Sequence, residues 1–234
     1  MTLIHLQDEA LPAALFRRLQ SSVRALGNER WRSTYSTTFW FDFGTATSVV
    51  EEAVQALRPL LVGDVVAGVE WWLSRMRTTD IRVDFHQDRD EQLALRTRTL
   101  RHPVLSSVLF LNRVQGGALA VTAQPPNGRN PCCVPLPLDA DLVAPRSNRF
   151  VWFDGTLTHG VLDRNNRIAV RRLRDQGELR LSVVMNWWKR RPTAVREFSE
   201  TDIYLPLRAT RPNRFLSRAK STLQRASYSP GKGV

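Results

Sequence analysis

The chain has 234 residues, 42% of them hydrophobic and 24% charged, which is enough for one domain with a sizeable core and too apolar for a disordered chain. No uncharged apolar run approaches the roughly 18 residues of a membrane span, and Asp8 and Glu9 stand where a secretion signal carries bases, so a cytoplasmic protein is expected. The net charge of +12 falls largely on a basic C-terminal tail: seven basic residues and no acid lie between Arg208 and Val234, leaving +5 on residues 1–207.

Two amphipathic helices are expected first. One runs from about Glu9 to Leu26, with Leu11, Leu15, Phe16, Leu19, Val23 and Leu26 on one face and Gly27 as its stop. The other opens with the capping box Ser48-Val49-Val50-Glu51 and meets Pro59. The period then changes to two. Short β-rich runs cover Thr37–Phe43, Glu70–Arg77, Ile81–His86, Ser106–Leu111, Ala118–Thr122, Asp141–Ala144, Arg149–Asp154, Leu157–Leu162 and Leu179–Trp188. Many short strands after helices predict a mainly β fold, a sandwich or jelly roll with the helices packed on one side. We read residues 1–207 as one domain, helical over 1–65 with a β core over about 70–190, and 208–234 as the tail, with one short helix at Asn213–Arg225. Cys132 and Cys133 are adjacent, which suits neither a disulfide framework nor a zinc site and fits a reducing compartment.

Chemistry concentrates in three places. His86-Gln87-Asp88 closes the run Ile81–His86, and residues two apart on a strand share a face, so imidazole and carboxylate converge. His159 follows 71 residues beyond Asp88, on the strand that comes next after the strong run Arg149–Asp154. Two imidazoles and a carboxylate occupy one face of an octahedral metal and leave the other open, an arrangement suited to non-haem iron(II) and oxygen chemistry. Arg180 and Ser182 then share one side of the last strand, where a guanidinium can grip a carboxylate through paired hydrogen bonds.

With these residues in place, the sequence resembles the 2-oxoglutarate- and iron(II)-dependent dioxygenases, and most of all their prolyl-4-hydroxylase-like branch. The resemblance spans about residues 70–190. It rests on His86-Gln87-Asp88, Leu111-Asn112 with Gly116-Gly117-Ala118-Leu119, Asn148-Arg149-Phe150-Val151-Trp152-Phe153 with His159-Gly160-Val161, and Arg180-Leu181-Ser182, in the family's order. It implies a double-stranded β-helix (jelly roll, cupin-like), Fe(II) held by His86, Asp88 and His159, and 2-oxoglutarate held by Arg180 with Ser182. The implied reaction is hydroxylation of an unactivated C–H bond in an amino acid, peptide side chain or natural product, with oxygen as co-substrate and release of succinate and CO2. A carboxylate at Asp88 favours hydroxylation, desaturation or cyclisation over halogenation, since related halogenases carry a small residue there.

Two departures stand out. The 21-residue step from His159 to Arg180 is long for the family, so Arg171 or Arg172 is an alternative anchor, with Arg180 preferred because Leu179–Trp188 alternates like a strand. A tyrosine that often precedes the Leu-Asn pair is absent, where Leu109 and Phe110 stand. Arg82 and Asp84 share the parity of His86, and Trp72 and Asn186 are further candidate substrate contacts. The long polar segment Arg89–Pro103 is a candidate lid, with His102 on it. Arg75, Arg77, Arg82 and Arg89 near the expected mouth hint at an anionic small-molecule or peptide substrate. The rival readings are a nucleic-acid demethylase of the same superfamily and a jelly-roll binding module without catalysis. The first lacks support, because Ser182 replaces the asparagine of its Arg-x-Asn-x-x-x-x-Arg pattern.

Overall fold

The computed structural model describes residues 2–27, 37–61, 65–126, 136–169, 172–173 and 177–209. Cys132, Cys133, Arg171 and the helix expected at Asn213–Arg225 lie outside the described residues.

Among the described residues, ten strands and three α-helices occur in the order β1 (Ile4–Gln7), α1 (Ala13–Ala25), β2 (Phe39–Phe41), α2 (Val49–Leu57), β3 (Gly68–Arg77), α3 (Glu91–Thr97), β4 (Leu105–Phe110), β5 (Leu119–Thr122), β6 (Asp141–Val143), β7 (Arg149–Asp154), β8 (Thr158–Val161), β9 (Leu179–Trp188) and β10 (Arg196–Glu197). They form a seven-stranded sheet in the order β1-β7-β4-β9-β3-β2-β10 and a three-stranded sheet in the order β6-β5-β8. All pairings are antiparallel except β10 with β2. The expected mainly β fold with helices on one side is what forms. No helix among the described residues is long and apolar enough to cross a membrane.

Side-chain parity decides which face of the large sheet meets what. Val69, Trp71 and Leu73 of β3, Leu109 of β4, and Val183, Met185 and Trp187 of β9 pack in one cluster with Phe16, Leu19 and Val23 of α1 and Val50, Val54 and Leu57 of α2. The alternate residues face the small sheet. There Val108, Phe110, Val151 and Phe153 meet Leu119, Val121 and Val143. The tryptophan pairs divide by the same rule, but neither partner reaches solvent: Trp71 and Trp187 join the helical core, while Trp72 and Trp188 are buried on the opposite face.

The helices form for the reasons their sequences give. In α2 the Glu51 amide donates to Ser48 Oγ at 3.1 Å, and the Ser48 amide donates to Glu51 Oε2 at 3.1 Å. Helix α1 begins four residues later than its periodicity suggests. The Leu11 amide donates to Asn148 Oδ1 and the Leu11 carbonyl accepts from Asn148 Nδ2, which holds the chain before Pro12 out of the helix. Packed chain extends just past the expected domain end, since Leu207 is fully buried and Arg208 bridges to Ser48.

The run Ile81–His86 is not a strand. Its alternating pattern finds no neighbour to pair with except at one position, an isolated bridge between His86 and His159. The segment Arg89–Pro103 contains helix α3 and is clamped. Asp90 caps the helix by accepting from the Leu93 amide at 2.9 Å, and it also binds Thr193 and Arg101. It forms a wall rather than a free loop.

Candidate metal centre and anion pocket

His86 and His159 are brought side by side by one backbone pair. The His86 amide donates to the His159 carbonyl and the His159 amide to the His86 carbonyl, both at 2.9 Å. Residues exchanging both bonds stand directly opposite on antiparallel chains, and the two imidazole centroids are 4.6 Å apart. Gly160 makes this approach feasible: a Cβ there would lie 2.5 Å from the ring of Phe85, which precedes His86.

Both rings are turned the same way. His86 Nδ1–H donates to the Asp84 carbonyl at 2.8 Å, and His159 Nδ1–H donates to the Leu157 carbonyl at 3.2 Å. Each therefore presents Nε2 inward, His86 at 3.4 Å from Asp88 Oδ1 and His159 at 3.3 Å from Asp88 Oδ2. The ligand atoms of all three lie within 4.8 Å of one another, close enough to share a metal ion. Burial would raise the Asp88 carboxyl, but the charge and hydrogen bonds of His159 and His86 hold it well below the usual carboxylate range. Burial likewise opposes the charged form of His86, but the hydrogen bonds to Asp88 and the Asp84 carbonyl and the charges of both carboxylates together raise that group. Such an acidic cage between two bases is what a divalent cation would replace.

Two supports of Asp88 escaped the sequence reading. Ser106 Oγ donates to Asp88 Oδ2 at 2.9 Å, and His102 Nδ1–H donates to the Asp88 carbonyl at 2.7 Å. His102, on the expected lid, thus braces the backbone of Asp88. Partners of this kind fix ligand orientation and are worth as much attention as the ligands. No sequence signal pointed to Ser106, whose role depends on cross-strand placement.

The metal cage shares a cavity of about 540 Å³ with Arg180, whose residue is only 2% exposed. Arg180 Nε donates to the Gly117 carbonyl at 3.1 Å and Nη1 to Ser182 Oγ at 3.2 Å. Its guanidinium lies 4.8 Å from the Phe110 ring centroid, so an aromatic face stands where the family's tyrosine hydroxyl was expected. Among the described residues no carboxylate pairs with it, and burial pushes it down to about 10. A buried cation without a counter-ion is costly, and an anion entering the cavity would offset that cost. Gly117, at φ +66°, keeps its carbonyl against this side chain, and a Cβ there would sit 3.2 Å from Arg180 Cδ. Asn112 extends the ladder beyond β4, donating to the Leu179 carbonyl at 2.8 Å and accepting from the Leu181 amide at 2.9 Å, which brackets Arg180.

The other expected site residues divide. Trp72 lines both this cavity and a second one, and Asn186 lines the second. Arg82 also lines both cavities, pairing with Asp80 at 2.9 Å with most of its side chain in water. Asp84 lines the second and accepts from the Phe85 amide at 2.8 Å. The arginines that hinted at an anionic substrate are largely engaged: Arg89 pairs with Glu91 and Arg77 donates to the Gly177 carbonyl.

No family model and no curated protein matches the chain. Solved structures similar to it include a Pseudomonas putida prolyl-4-hydroxylase, at 22% identity over 81% of this chain and 94% of that one, with a TM-score of 0.49. HygX from Streptomyces hygroscopicus, solved with nickel and 2-oxoglutarate, is similar at 13% identity over 84% and 85% of the two chains, with a TM-score of 0.48. An oxidoreductase of the 2OG-Fe(II) oxygenase family from Burkholderia pseudomallei is similar at 13% identity over 83% and 89%, also with a TM-score of 0.48.

Proposed function

We propose that this chain is a 2-oxoglutarate- and Fe(II)-dependent dioxygenase of the hydroxylase type, built on a double-stranded β-helix within residues 1–207. One observation carries the reading. A His-Asp-His cage and a buried, anion-seeking Arg180 line the same cavity. The donor set fits Fe(II): two neutral imidazole nitrogens and one carboxylate leave positions free for a bidentate ligand and oxygen.

Fe(II) with 2-oxoglutarate would supply the oxidant, one oxygen atom entering the substrate C–H bond as hydroxyl and the other entering succinate as CO2 leaves. The protein's part is orientation and exclusion. The carbonyls of Asp84 and Leu157 keep both Nδ1 positions protonated and both Nε2 positions free to ligate. Ser106 and His102 hold Asp88 in place. Arg180 receives the distant carboxylate of the co-substrate, and the Ser182 hydroxyl, which accepts from Arg180 Nη1, holds the guanidinium in place. Phe153, Leu119 and Val184 line the space between, keeping bulk water from the reacting carbon.

An anaerobic titration with Fe(II) and then 2-oxoglutarate tests the assignment through the visible charge-transfer band of a chelated 2-oxo acid. The band is expected in wild type and absent in His86→Ala and His159→Ala. Arg180→Ala is expected to need at least about 30-fold more 2-oxoglutarate, since breaking a buried charge pair costs roughly 2–5 kcal/mol. A metal-replete wild type without the band would end this reading.

A further inference from the structure

A second cavity, about 920 Å³, opens from the same metal cage and shares Trp72, His86 and Asp88 with the first. Glu70 and Asn186 line it, and they belong to a row across three strands whose third member, Ser106, lines the first cavity. Ser106 of β4 stands opposite Asn186 of β9, and Asn186 stands opposite Glu70 of β3, all on the face away from the helices. One end of the row is Ser106, donating to Asp88. The other two members are polar and poorly satisfied. Asn186 is 3% exposed, and its Oδ1 has no hydrogen-bond partner among the described residues. Burial pushes the Glu70 carboxyl up to about 7 against hydrogen bonds from Thr38 and Trp188, and no cation among the described residues pairs with it.

The remaining charges of this wall are spoken for. Asp90 is bound by Arg101 and Thr193, Glu91 by Arg89, Asp84 by the Phe85 amide, and Arg82 by Asp80. Arg196 is exposed. What the cavity lacks is therefore a positive charge beside Glu70 and a donor to Asn186 Oδ1. A buried acceptor left unmet costs roughly 1–3 kcal/mol, and an occupant able to donate to both would recover it. Opposed residues on antiparallel strands have Cβ atoms about 5 Å apart, a span that one ammonium bridges. The volume lies in the range of pockets that enclose a small organic molecule.

We propose that the second cavity is the substrate pocket and that it selects a substrate carrying a primary amine, with the ammonium held between Glu70 and Asn186. This rests on the dioxygenase reading and reverses the anionic substrate that the arginine count suggested. Glu70 supplies the counter-charge and Asn186 Oδ1 an uncharged acceptor, while the metal cage lies at the end of the same row.

The test uses matched six-carbon probes, hexylamine, hexanol and hexanoate, on the Fe(II)- and 2-oxoglutarate-loaded protein without oxygen at pH 8. Binding is read by calorimetry and by perturbation of the charge-transfer band. Hexylamine is expected to bind at least tenfold tighter than hexanol, with hexanoate weakest. Glu70→Gln should cut the amine-over-alcohol preference about tenfold or more, and Asn186→Leu should cut it several-fold. Tighter binding of hexanoate in wild type would overturn the proposal. So would an amine preference that survives Glu70→Gln, because the amine would then be on the metal. The two readings fail separately. A normal band without amine preference removes only the pocket assignment, whereas amine preference in a zinc-loaded protein that never gives the iron band removes the dioxygenase reading and keeps the pocket.

Discussion

Glu70 ties the stability of the metal-free chain to pH. Its folded value of about 7 lies above the ordinary 4.5, because burial disfavours the charged form. Between those values the folded chain holds a proton that the unfolded chain has released. The contribution is therefore fully present below about pH 4.5 and is lost as pH rises toward 7. Its size is about 3 kcal/mol, from 1.36 kcal/mol for each pH unit in that window. Denaturant unfolding of wild type and Glu70→Gln across pH 4.5–8 should show wild type losing about this much relative to the variant. A flat difference would mean a hydrated carboxyl. Residues differ in how readable they are. Arg180 could be found in the sequence because its partner Ser182 is two positions away on a clean strand. Glu70, Ser106 and His102 could not, since each acquires its role from a residue on another element.

At the level of elements, legibility followed the strength of the period. Strand β9 matches its expected bounds, Leu179–Trp188, because ten residues alternate between two cores. Helix α3 has no buried residue and hence no apolar stripe to read; the Asp90 cap and its clamps hold it. Strand β10 has only two residues and β1 buries one side chain of four, too little pattern for either to show. The Ile81–His86 run erred the other way, with a pattern but no partner strand. The ligand geometry survives because a single His86–His159 bridge does what a whole strand was expected to do. That makes Gly160 critical. Gly160→Ala would push a methyl into the Phe85 ring and part the bridge, so zinc affinity should fall at least about tenfold, measured by competition with a chelator. Ser48→Ala, on the far face, should cost about 1 kcal/mol through the lost cap and leave zinc affinity unchanged. Equal losses of zinc affinity in the two variants would show that the bridge does not set the ligand geometry.

Across the whole molecule, the site is assembled from parts that no local segment holds together. His159 belongs to the small sheet, Arg180 and Ser106 to the large one, and His86 and Asp88 to the chain between them. Ligands should therefore brace the two sheets against each other in separable steps. A metal at a hundredfold over its dissociation constant adds about 2.7 kcal/mol to the folded state, which for a chain of this size raises the melting temperature by roughly 5–10 °C. Zinc is the convenient probe, since it supports no oxygen chemistry. Its increment should vanish in His159→Ala and persist in Arg180→Ala. Saturating 2-oxoglutarate should then add a second increment to the zinc-loaded wild type and little to zinc-loaded Arg180→Ala. If Arg180→Ala removed both increments, the guanidinium would be acting at the metal cage rather than on a distant carboxylate. If it removed neither, the anion for which Arg180 is buried would be something other than 2-oxoglutarate.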